Sequence, residues 1–374
     1  MTASIRTWVA DPLHPEVRQA LERLARAPDV VRLAVMPDVH LAHGVCIGTV
    51  TATRRRIYPA AVGGDIGCGV AVVRLGVAAS AVDDREAAAS ILSGLYQRVP
   101  FIKHAAGASP DLPAHLPTDG LSSPALGTLA RRDGRLQLGT LGRGNHFLEL
   151  QRDQAGELWL AVHSGSRAMG PAIREHYMRQ AEGSGALASL DCESPAGAAY
   201  LADVQWARSY AATSRRRMVE QVAALAEELF DARVDWDSFF DCDHNHVARE
   251  PHAGEPLWVH RKGALHAADG ELGIIPGSMG SPSYHVAGRG LPDALCSSSH
   301  GAGRAMSRSE ARRRISRTQL LGDIEGVWFD HRLTQRLREE APAAYKDIGK
   351  VMRAQRELTR VVRRLEPVLV HKGA

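Results

Sequence analysis

The chain has 374 residues, 44% of them hydrophobic and 24% charged, with a formal net charge of only +4. That describes a soluble globular protein with enough chain for a large core, as one large domain or two fused lobes, and a charge too weak to announce nucleic-acid binding by itself. No run of about 18 apolar residues offers a membrane span, and the start, Met1-Thr2-Ala3-Ser4-Ile5-Arg6, lacks the apolar core of a signal peptide, which points to the cytoplasm. Five scattered cysteines, Cys46, Cys68, Cys192, Cys242 and Cys296, are an odd number that argues against a disulfide framework and for metal or catalytic use.

In chain order, Pro15 followed by Val17, Leu21 and Leu24 predicts an amphipathic helix with proline in its first turn. Residues 30–36 are apolar and β-branched apart from Arg32, and predict a strand ended by Pro37; Asp38-Val39-His40 then lie at its exit, where a ligand could sit. A second strand is expected over Ile47–Thr53. A helix follows over 84–98, with Ile91, Leu92, Leu95 and Tyr96 on one face. Residues 101–135, rich in Pro, Gly, Ser and Ala, read as an irregular surface excursion.

Residues 199–230 are strongly helical, and Met218, Val222, Leu225 and Leu229 form a core stripe. From Ile348 through Val351, Met352, Leu358, Val361 and Val362 to Leu365 the spacing predicts another long helix. Residues 367–370 then read as a short strand delivering Lys372 to the end of the chain.

The chemistry gathers around residues 59–70, where four glycines surround Asp65 and Cys68. Glycine lets backbone approach a ligand closely, and the carboxylate and thiol offer hard and soft donors to one cation. Taken alone, Asp65 and Cys68 read sooner as a tight turn with a buried thiol than as a metal site. Four further stretches favour the metal. Residues 138–149 form a glycine-rich loop whose N–H groups could cradle phosphate, with Asn145, His146 and Glu149 beside it. His163-Ser164-Gly165-Ser166-Arg167 puts an imidazole at a strand end next to an arginine suited to phosphate. Asp241-Cys242-Asp243-His244-Asn245-His246 and Cys296 to Arg304 are too polar for ordinary core. The clusters Arg54 to Arg56, Arg215 to Arg217 and Arg312 to Arg314 could neutralise phosphates, or be solvated surface.

Met36-Pro37-Asp38-Val39-His40, Val62-Gly63-Gly64-Asp65-Ile66-Gly67-Cys68-Gly69, Gly142-Arg143-Gly144-Asn145-His146-Phe147, His163 to Arg167, Pro276-Gly277-Ser278-Met279-Gly280 and Ser299-His300-Gly301-Ala302-Gly303-Arg304 resemble the RtcB family of RNA-splicing ligases. The motifs run in the family's order from about residue 30 to Lys372. The resemblance implies a single α/β (α+β) domain over 1–374, with a central β-sandwich surrounded by helices and a deep metal-containing cleft. It implies GTP- and Mn²⁺-dependent joining of RNA 2′,3′-cyclic phosphate or 3′-phosphate ends to 5′-hydroxyl ends, in RNA splicing or repair.

By the same resemblance Cys68 is similar to a thiolate bridging two Mn²⁺ ions, with Asp65 and His146 on one ion and His163 and His244 on the other. Geometry and availability, more than affinity, would select Mn²⁺ over Zn²⁺. His300 resembles the nucleophile that carries GMP. Asn145, His146, Glu149, His244, Asn245, Pro276, Gly277, Ser278, Met279, Ser283, Gly301, Ala302, Gly303 and Lys372 resemble the surrounding guanylate site. Two departures stand out: Ala42-His43 replaces the usual Gly-Lys pair, and Gly64 replaces an apolar residue.

They remove no ligand but leave the preferred RNA open, as is the need for a helper such as archease. A binuclear phosphodiesterase would use the same metal ligands without a guanylylated histidine. A non-catalytic RNA-binding protein would explain the arginines but not the metal constellation.

Overall fold

The computed structural model describes residues 2–105 and 107–373. Two sheets carry the architecture, a mixed α/β arrangement. The smaller runs in the order Ser4–Thr7, Val30–His40, Ile47–Thr53, Glu255–Lys262, Asn245–His252. The larger runs Leu272–Ile275, Ser283–Gly288, Thr359–His371, Phe147–Asp153, Glu157–Ser164, Gly69–Ala78, Asp235–Asp243, with Trp328–Phe329 added beside Thr359–His371. Its main path is antiparallel throughout. Ile274 from the first strand and Phe240 from the last meet in one buried cluster, so the sheet nearly closes on itself, with helices around it. Among the described residues no helix is long and apolar enough to cross a membrane.

Period-two alternation decides which residues face the site. Ala71, Val73, Leu75, Leu148, Leu150, Leu160 and Val162 point outward into a core covered by Ile91 and Leu95 of one helix and Met218, Val222 and Leu225 of another. Each such side chain contributes about 1.5–3 kcal/mol when fully buried. The intervening positions, Val70, Val72, Trp159 and Ala161, point inward. Glu149 pairs with Ala161 and Phe147 with His163, so these residues share that inner face.

Helix Pro15–Ala25 forms as expected. Asp84 is the cap of helix Arg85–Arg98, accepting from the Glu86 and Ala87 N–H groups at 2.9 and 3.0 Å. The long helix starts earlier than its apolar stripe suggests: it spans Pro195–Phe230, 36 residues, with Ser194 capping Gly197 at 3.0 Å.

Three expectations are corrected. The strand does not stop at Pro37 but runs over Val30–His40, while its ladder with Ile47–Thr53 is irregular between Val35 and His40, because proline has no N–H to give. Inside the supposed excursion, Ser123 caps a short helix, Pro124–Leu129. The late helix covers only Ile348–Ala354; Thr359–His371 is a strand paired on both sides, in keeping with its β-branched Thr359, Val361 and Val362.

Arg215 is not a surface cation. Its side chain is 1% exposed, and it donates to Asp241 at 2.6 and 2.9 Å and to the Gly67 and Ser164 carbonyls at 2.7 Å each. One guanidinium thus joins the long helix to three segments that approach the site. Arg215→Ala leaves two carbonyls and a largely buried carboxylate uncompensated; the expected loss is about 3–5 kcal/mol, read as a lower urea midpoint.

Candidate active site and metal centre

The register of the larger sheet assembles the donors. Gly69 pairs with Ser164 on one side and Asp243 on the other. The neighbours Cys68, His163 and His244 therefore converge at adjacent strand ends. Their ligand atoms, and separately those of Asp65, Cys68 and His146, all lie within 4.8 Å of one another in each triad. Cys68 is common to both. Its Sγ is 3.2 Å from His163 Nε2 and 3.6 Å from His146 Nε2, which is 2.9 Å from Asp65 Oδ2.

The donor chemistry fits cations. His163 Nδ1 donates to the Asn145 carbonyl at 3.1 Å, which leaves the Nε2 lone pair toward Cys68. His244 is buried with Nδ1 lacking a hydrogen-bond partner, the kind of lone pair an ion satisfies. Burial, then the neighbouring imidazoles, hold His163 and His244 well below the ordinary histidine range and so in the neutral, ligating form. Burial and then Asp65 push the Cys68 thiol well up; a coordinated cation reverses that balance by holding the thiolate. Gly165 permits this packing, because a Cβ there would collide with the Asp65 carboxylate.

Beside these triads opens a cleft with a cavity volume of about 210 Å³. Of the residues expected in a guanylate site, it is lined by Asn145, Glu149, Pro276, Gly277, Ser278, Met279, Ser283, His300, Gly301, Ala302, Gly303 and Lys372, with His163 on its wall. His146 and His244 sit in the triads instead. Asn245 is committed elsewhere: its amide donates to the Asp65 carbonyl at 3.0 Å and accepts from Gly263 N–H at 2.8 Å, holding the metal-site turn.

His300 stands where the two regions meet. Its ring centroid is 4.6 Å from that of His244, and its Nδ1 is 2.6 Å from Asp38 Oδ2. Asp38 is fully buried on the irregular stretch after Pro37. Gly303, at φ +74°, lets the His300 loop lie against the Asp38 backbone, where a Cβ would clash. The Ala302 N–H to Pro276 carbonyl bond, 3.0 Å, ties that loop to the Pro276 turn.

Sequence reasoning placed Asp38 and His40 near a ligand without giving either a role, and gave none to Phe147, Arg304, Arg308, Glu340 and Tyr345 on the cleft wall. Arg304 closes the Ser-His-Gly-Ala-Gly-Arg motif and could have been found there; Glu340 has no local signal. The other arginine clusters are mostly paired on the surface: Arg54 with Glu255, Arg55 with Asp191 and Glu193, Arg56 with Glu182, Arg312 with Glu339 and Arg314 with Glu310. Such exposed, solvent-screened pairs contribute little to stability.

A family model for the tRNA-splicing ligase RtcB matches residues 20–116 and 114–373. The chain belongs to the RtcB family. It is 36% identical to the RNA-splicing ligase RtcB of Escherichia coli K12, with 99% of this chain and 98% of that protein covered. It is 30% identical to the RNA-splicing ligase RtcB of Mycobacterium tuberculosis, covering 94% and 99%, and 28% identical to the tRNA-splicing ligase RtcB of Thermococcus kodakarensis, covering 98% and 94%.

Because both triads of this RtcB-family centre share one sulfur, Cys68→Ala is expected to lose most of the divalent metal bound by the wild type, measured by elemental analysis after dialysis. Cys46→Ala, altering a packed thiol that is 2% exposed in a separate apolar cluster, keeps the metal.

Proposed function

We propose that this protein is an RNA ligase that joins 2′,3′-cyclic phosphate or 3′-phosphate ends to 5′-hydroxyl ends, using GTP and two Mn²⁺ ions and acting as one catalytic unit over its length. The observation that carries this reading is the Asp38–His300 pair, set between the donor triads and the cleft. Asp38 accepts the Nδ1 proton and so keeps the His300 Nε2 lone pair available. Nε2 attacks the α-phosphorus of GTP, a P–N bond forms as the bond to pyrophosphate breaks, and GMP rests on His300. An oxygen of the RNA 3′-phosphate then takes the GMP and frees the imidazole. The 5′-hydroxyl attacks the activated RNA phosphorus and expels GMP.

Asp65, Cys68, His146, His163 and His244 would hold the ions, which supply neutralisation of phosphate charge. A histidine distinct from these ligands is what a guanylate carrier requires. RNA is the macromolecular partner; archease is a candidate helper. The membership in an RNA-ligase family supports the reaction class.

Glu149 and Lys372 lie nearly buried in the same cleft, an acceptor and a donor. Guanine offers N–H donors at N1 and N2 beside the O6 acceptor, so this combination suits guanine; adenine presents a donor where O6 would be.

GTP with Mn²⁺ is expected to add the mass of GMP to the intact protein, with the adduct in the peptide covering 296–304 and pyrophosphate released. His300→Ala shows none. An adduct on another residue, or ligation without GTP, overturns the mechanism.

A pH dependence follows from Glu149. Burial pushes its carboxyl up to about 7, against the Gln151 hydrogen bond and the Lys372 charge. Only the ionised form accepts from both guanine donors, so GTP affinity rises as pH increases through about 7, by calorimetry. Glu149→Gln binds more weakly and flattens the profile.

A further inference from the structure

Glu340 is the carboxylate around which the cleft's cations are arranged. It is 2% exposed. One oxygen, Oε1, accepts from Arg304 Nη1 at 3.2 Å and Arg308 Nε at 3.1 Å. The other, Oε2, accepts from the Tyr345 hydroxyl at 2.5 Å and lies 3.1 Å from Lys372 Nζ. These four partners line the same cleft as Glu149 and His300. The Glu340 charge therefore sits among three positive ones; Arg308, partly exposed, also lies 3.7 Å from Glu339, whereas Lys372 and Glu340 are nearly dry and little water screens that pair.

Lys372 follows the last strand, Thr359–His371, and its ammonium has no other carboxylate partner within 4 Å among the described residues. Glu340 itself lies between the buried Leu337 and Ala341, which pack with Met279 of the Pro276 turn and Val370 of that last strand. The carboxylate is thus anchored in the helical segment covering the cleft, while its ion pairs reach the nucleophile loop through Arg304 and the end of the chain through Lys372.

We propose that Glu340 is a positioning residue for guanine recognition: it fixes the Lys372 ammonium for the O6 carbonyl and keeps Arg304 and Arg308 from displacing it. This rests on the GTP-binding reading of the cleft. Glu340 does not touch the base in this arrangement; it acts through Lys372. Loss of its charge leaves Lys372 beside two arginines with no carboxylate to hold it, and the ammonium turns toward solvent.

The test is equilibrium binding of GTP and of 2-aminopurine riboside triphosphate, which keeps the N2 donor group and the triphosphate but lacks both O6 and the hydrogen on N1, to the wild type, Glu340→Gln, Lys372→Met and the double variant, each variant being compared with wild type for the same nucleotide. Loss of a charged hydrogen bond predicts that Glu340→Gln weakens GTP about tenfold to a hundredfold and leaves the analogue nearly unchanged. Lys372→Met does the same, and the double variant is no worse than Lys372→Met alone.

Equal losses for both nucleotides, or additive losses in the double variant, overturn the positioning role and leave Glu340 a structural anchor. Thermal unfolding separates misfolding from the effect, and if Glu340→Gln does not fold, Glu340→Asp read with the same two nucleotides decides by the same criterion. Wild type that binds neither nucleotide refutes the GTP reading itself, whereas wild type that prefers GTP beside an unaffected Glu340→Gln refutes only this inference.

Discussion

The buried Arg215 guanidinium is the constraint on which the donor geometry depends. Cys68, His163 and His244 come from separate strand ends that backbone pairing sets in register, and Arg215 ties those segments to one helix. Arg215 reaches the carbonyls of Gly67 and Ser164 and the carboxylate of Asp241, so it draws in a residue beside Cys68, a residue beside His163 and the strand leading to His244. An isolated cation at such a position would be costly, and three acceptors with good geometry are what make it tolerable. The outer helix is consequently part of the site, although none of its side chains belongs to either donor triad.

The same economy of charge runs through the rest of the centre. Neutral imidazoles, kept so by burial, cluster where cations would bring positive charge. The arginines and the lysine cluster where a nucleotide would bring negative charge, with Glu340 as their counter-ion. His300 lies on the boundary between these environments. Its partner Asp38 depends on a defect in the smaller sheet: proline interrupts the ladder, and the freed stretch turns a carboxylate toward the His300 ring.

Much of the secondary structure was legible because it rests on local signals. The helix Pro15–Ala25, the strand Ile47–Thr53 and the core stripe of the long helix follow from spacing, and Asp84 and Ser194 show how a capping side chain sets the boundary. The failures have a common cause. Residues 358–365 match a helical period, yet their strand state comes from two partners far away in sequence, Ser283–Gly288 and Phe147–Asp153. No local pattern announces such pairing.

Family membership, Cys68, the dispersed histidines and the glycine-bounded His300 loop were all readable from the sequence alone, because each is carried by a contiguous motif in which residue type and spacing express the chemistry. What only the tertiary structure decided is which of these groups touch. It brought the two expected groups of donors within reach of one sulfur, showed Asn245 holding the turn that carries Asp65, gave Asp38 a partner 262 residues away, and turned Arg215 from a candidate phosphate contact into an internal clamp. Glu340 gained its importance in the same way. Its neighbours in sequence are unremarkable charges, and a buried carboxylate acquires meaning only when long-range packing removes the water and brings its cations to it.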